Sequence, residues 1–86
     1  MNKAELVKAV ASRTGYSLTE TEQIIEEALT VVKETVATGE TVQLVNYGKL
    51  ELKEYRERGY SSSSRNAPKF TASESFKSMC NPETES

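Results

Sequence analysis

The residues with chemical potential are concentrated in the middle of this 86-residue chain. From Lys49 to Lys69 there are six basic and three acidic residues (+3), against four basic and seven acidic from Met1 to Gly48 (−3) and one basic and three acidic from Phe70 onward (−2). A net charge of −2 for the whole chain therefore hides a basic centre, the part able to meet a polyanion by pairing lysine and arginine with its negative groups. Read without that idea, the same stretch is an ordinary solvated strand pair. Catalysis finds little material. The serines Ser61 to Ser64 have no histidine anywhere in the chain to activate them, and Glu54 and Glu57 alternate with arginines that neutralise them. A glycine-rich phosphate loop and metal-ligand spacing are both missing, so neither an enzyme nor a cofactor is expected. Tyr47, Tyr55 and Tyr60 could stack on exposed bases, although tyrosines on strands more often pack, and Tyr47 in its turn is expected to do so.

These residues need elements to position them. Asn2 with Glu5 has the chemistry of a helix start, and Leu6, Val7, Val10 and Ala11 follow at helical spacing until Thr14-Gly15. Ser17 with Glu20 is a clearer capping box, opening a long helix that can run to Thr38 before Gly39 stops it. On that helix Val31, Ile24, Thr35, Ala28, Val32, Ile25, Val36 and Leu29 fill an arc of roughly 160°, wider than one packing neighbour requires. The width predicts a second contact such as another copy of the chain; cover by its own sheet alone is the simpler alternative.

Thr41 to Val45 then alternates like a strand, Asn46-Tyr47-Gly48 reads as a turn, and Lys49 to Lys53 alternates again, with Val42, Leu44, Leu50 and Leu52 facing a core. Beyond Lys53 the phase of Leu50 and Leu52 passes to Glu54, Arg56 and Arg58, so the strand is expected to run on into solvent. Gly59 to Asn66 reads as a polar loop, Ala67 to Phe70 as a short returning strand with Pro68 on an edge, and Thr71 with Glu74 as the start of a short helix ending before Asn81-Pro82. Residues 81–86 are expected to be a disordered tail. The single Cys80 fits a reducing compartment, and no apolar run approaches a membrane span, so a soluble cytoplasmic protein is expected.

The segments Met1-Asn2-Lys3-Ala4-Glu5-Leu6-Val7, Gly39-Glu40-Thr41-Val42-Gln43-Leu44 and Tyr47-Gly48-Lys49-Leu50-Glu51-Leu52 resemble the HU/IHF family of bacterial histone-like proteins, without a gap to about Lys53 and more weakly from Pro68 to Met79. The resemblance implies an α+β, IHF-like intertwined dimer: two N-terminal helices, a three-stranded antiparallel sheet with a shortened β-arm, and a short C-terminal helix. Its parts would be a helical dimerisation region (1–39), a β-saddle and arm (40–70) and a closing helix (71–80). It implies a homodimer that binds double-stranded DNA without sequence preference in the nucleoid, with no membrane and no small-molecule substrate.

Family positions near the DNA correspond to Lys3, Lys53, Arg58 and Lys77; Arg56, Arg65 and Lys69 join them on charge and location. Ile25, Ala28, Leu29, Val32, Val36, Leu44 and Leu50 are the expected dimer interface. The chain departs from the pattern where Ala67 follows Arg65-Asn66 in place of a wedging proline, where Tyr55 replaces a usual arginine, and where Thr71-Ala72-Ser73-Glu74 replaces a basic stretch. Weaker binding and less bending are therefore expected. The alternative is a protein-interaction module that pairs with a host HU-type subunit.

Overall fold

A computed structural model describes residues 1–56 and 64–82 and resolves two compact units, residues 1–33 and 34–86. The first unit holds helix α1 (Lys3–Thr14) and most of helix α2 (Leu18–Ala37). Both helices begin where side chains satisfy the free amides of a first turn. The Asn2 side chain accepts from the Glu5 amide at 2.9 Å, and the Glu5 carboxylate accepts from the Asn2 amide at 3.0 Å. At α2, Ser17 Oγ accepts from the Glu20 amide at 3.1 Å and Glu20 Oε1 accepts in return from the Ser17 amide at 3.3 Å. Gly15 ends α1 in the left-handed region, at φ 84°. Val7 and Ala11 are buried in this unit, as is Thr21, whose hydroxyl donates to the Ser17 carbonyl at 2.7 Å.

The second unit holds the last turn of α2, the strands β1 (Val42–Leu44), β2 (Gly48–Arg56) and β3 (Ser64–Ala72), and helix α3 (Glu74–Cys80). Gly39, at φ 98°, donates its amide to the Val36 carbonyl at 2.9 Å and closes α2 as its sequence position predicted. The strands form one antiparallel sheet in the order β1-β2-β3, with Val42 opposite Leu50 and Leu50 opposite Phe70. The α+β architecture of helices and a three-stranded antiparallel sheet is thus the expected one.

Two expectations about the returning segment need correction. Ser64, Arg65 and Asn66 are not loop: they pair with Arg56, Tyr55 and Glu54 at the start of β3. Main-chain hydrogen bonding between two strands needs no apolar alternation, so a polar composition conceals it. Helix α3 begins two residues later than expected, with its N-cap at Ser73 rather than Thr71. Thr71 and Ala72 remain in the ladder opposite Lys49 and Gly48, and Ser73 becomes the N-cap, its Oγ accepting from the Phe76 amide at 3.1 Å. Asn81 caps the far end of α3 as predicted, and residues 83–86 of the expected tail lie outside the described ones.

The junction of turn, sheet and α3 is packed by rings. Tyr47 stacks on Phe76 with centroids 5.6 Å apart, and Phe70 meets Tyr47 at 5.2 Å, which gives Tyr47 the packing role expected of it. Gly48 lets this cluster close, because a Cβ there would lie 2.4 Å from the Thr71 carbonyl oxygen and 2.7 Å from the Phe70 ring. We predict that Gly48→Ala destabilises the fold by about 1–3 kcal/mol, lowering the thermal midpoint seen by circular dichroism by roughly 10 °C. An unchanged midpoint would show that the junction has room to give.

Candidate nucleic-acid interface

Side chains alternate between the two faces of a sheet, so the β2–β3 register sorts the basic residues. One face carries Val42, Leu44, Leu50, Leu52, Pro68 and Phe70. On the other, Lys49 lies opposite Thr71, Glu51 opposite Lys69, Lys53 opposite Ala67 and Tyr55 opposite Arg65. That face therefore bears four cations and one anion. Lys53, Tyr55, Arg65 and Lys69 are all exposed on it, and no carboxylate pairs with Lys53 or Lys69 among the described residues. Exposed ammonium and guanidinium groups spaced along two strands match a run of phosphates: each can replace a counterion without a large desolvation cost.

The sheet face thus gathers Lys53, Arg65 and Lys69, three of the seven residues predicted to bind DNA; Lys3, Arg56 and Lys77 are not on it. Arg56 stands opposite Ser64 in the alternate register, that of Leu50, Leu52 and Glu54. Arg58 lies outside the described residues. Lys77, in the last turn of α3, pairs with Glu74 at 3.4 Å. Lys3 belongs to the first unit, where its ammonium pairs with Glu26 and, at 3.8 Å, with Glu22. The hydrogen bond to Glu26, followed by that residue's charge, raises the Lys3 pKa above the usual lysine range. On the lysine side, the pair's contribution to stability is present at neutral pH and is lost in alkali as the pH rises through that raised value.

Lys49 was missed by reading the sequence, although it shares the alternation of Lys53 and could have been found by parity alone. It sits half-buried with its Nζ 3.8 Å from Glu51.

The predicted interface residues range from buried to exposed. Val36 is buried, Ile25, Val32 and Leu50 are half-buried, and Ala28, Leu29 and Leu44 are exposed. Leu29 leaves 50% of its surface in solvent, and Ile24 and Val31 on the other flank of the apolar arc leave 56% and 55%. Only Val7, Ala11 and Val36 are buried hydrophobic side chains among the described residues. So small a core is far below what a chain of this length needs for independent stability.

Comparison with known proteins agrees with this geometry. A family model described as bacterial DNA-binding protein matches residues 1–81. The DNA-binding protein HU of Synechocystis is 42% identical over 64 residues, covering 67% of this chain and 64% of that protein. HU-1 of Halalkalibacterium halodurans is 37% identical over 54 residues, 63% of this chain and 60% of the relative. The matched segment thus spans about 60% of the length of these curated relatives. A cocrystal structure of Anabaena HU with DNA superposes with a TM-score of 0.88 at 28% identity, over 95% of this chain and 99% of that one.

Proposed function

The chain belongs to the HU/IHF family of bacterial DNA-binding proteins, architectural rather than catalytic, and from that premise we propose that it binds duplex DNA as a homodimer without sequence preference, in the nucleoid of the cytoplasm. The observation that carries this reading is the single sheet face bearing Lys49, Lys53, Arg65 and Lys69. Its cations suit phosphates, contacts that position a duplex without reading its sequence. Anisotropy of a labelled duplex in dilute buffer tests the proposal. Saturable binding that is indifferent to sequence is expected; no binding at low salt would contradict it.

The binding is proposed to be weaker than is usual for the family, because part of its cation supply is already engaged: Lys3 by Glu26 and Glu22, Lys77 by Glu74 and Lys49 by Glu51. The same pairs favour a second reading, in which the chain pairs with a host HU-type subunit and touches DNA little.

The reason for expecting reduced bending changes with the structure. Ala67, which follows Arg65-Asn66 in place of a wedging proline, is paired with Lys53 inside the β2–β3 ladder. The connection between the strands is instead residues 57–63, and that segment contains no proline. A kink costs a few kcal/mol per unstacked step, which architectural proteins offset with an inserted apolar wedge. Without a proline to insert, the protein should leave a short duplex close to straight. End-to-end fluorescence transfer on a labelled duplex is expected to change little on binding, and a nicked duplex should bind no more than about threefold tighter than an intact one. Strong bending, or a large preference for the nick, would contradict this.

A further inference from the structure

From the arrangement of charges around Glu51 we infer that this carboxylate limits DNA affinity, occupying the place on the basic sheet face where a phosphate would otherwise be held; the inference rests on the duplex-binding reading above. Glu51 is the only anion on that face among the described residues, and it is surrounded. Lys49 and Lys53 flank it two residues away along β2, on the same side of the strand, and Lys69 lies directly across the ladder. Cβ atoms of directly opposed residues lie about 5 Å apart, within reach of a lysine–glutamate contact. The Lys49 ammonium is already 3.8 Å from the Glu51 carboxylate, and both side chains remain partly open to solvent, at 45% and 33% exposure.

Two consequences follow from this placement. The carboxylate relieves repulsion among three lysines, which keeps the face compact while no DNA is present. It also repels phosphate and competes for the same ammonium groups, so a duplex must share or displace it before Lys49 can contribute. Exposed pairs exchange partners readily because neither charge is held by burial, and the contact therefore acts as a tunable brake. Of the rest of the polar face, Gln43, Thr71, Ala67 and Tyr55 are uncharged and Arg65 adds a fourth cation opposite Tyr55.

Glu51→Gln keeps the shape of the side chain and removes its charge. Duplex affinity at low salt is expected to rise about threefold to tenfold, and the dependence of log K on log salt to steepen by about 2, one freed cation in each protomer of a dimer. A structural role would not produce that change in slope. Glu51→Thr, suited to a strand, should do the same. Glu54→Gln, in the alternate register opposite Asn66, should change the slope little. If the unaltered chain binds and Glu51→Gln binds equally or more weakly, or with an unchanged slope, the inference is overturned. If only the variants bind, the brake is real and the native protein's DNA binding is what fails; if neither binds, both are overturned.

Discussion

Leu29→Glu is expected to convert a folded dimer into a largely unfolded monomer. In the single chain Leu29 is half exposed on the flank of α2, and a polar substitution at such a place in a monomeric protein shifts stability by no more than about 0.5 kcal/mol. In a dimer that covers this flank, the same glutamate becomes an unpaired charge in an apolar contact and costs about 3–5 kcal/mol. With only Val7, Ala11 and Val36 buried among the described hydrophobic side chains, loss of the partner leaves too small a core to hold the fold. Ile25→Glu should behave alike but is less diagnostic, since Ile25 is already half-buried in the chain itself. Sedimentation and circular dichroism at micromolar concentration read the result. A wild-type protein that sediments as a folded monomer, or a Leu29→Glu variant as stable as wild type, would remove the dimer from the account.

The second large effect concerns the sheet. Reversing the two exposed lysines of the polar face, Lys53→Glu with Lys69→Glu, should reduce duplex affinity at low salt by about 100-fold or more, since a dimer would lose four phosphate contacts and gain four repulsive ones. Both residues are exposed, so folding should be preserved and the circular dichroism spectrum unchanged. Replacing Arg56, whose position belongs to the alternate register, should cost far less. Equal losses from Arg56→Ala and from the double reversal would place the contact surface elsewhere.

How much of this was legible in the sequence depended on how local the cause was. The capping pairs Asn2–Glu5 and Ser17–Glu20 and the stop at Gly39 lie within one helical turn, and each was found where its residues predicted. The face of Lys53 follows from period-two alternation and was equally available, yet Lys49 was overlooked because the basic residues were sought further along the arm. The start of β3 was hidden, since Ser64 to Asn66 join a strand through main-chain bonds their side chains do not announce. The same main-chain pairing sets Ala67 opposite Lys53, inside the ladder. Non-local electrostatics were out of reach altogether. Glu26 lies 23 residues from Lys3, so that pairing could not be read from spacing, whereas Glu74 and Lys77, three residues apart on one helix, were within reach of it.

The most direct test of the central claim, that an exposed cationic sheet face binds duplex DNA through its phosphates, is the salt dependence of the wild-type protein's affinity for a short duplex of arbitrary sequence. With about four to six phosphate contacts in a dimer, log K should fall against log salt with a slope of about −4 to −5, so binding clear in dilute buffer should largely vanish near physiological salt. A slope near zero, or no binding at any salt, would contradict the claim and leave pairing with another protein as the better account of this surface.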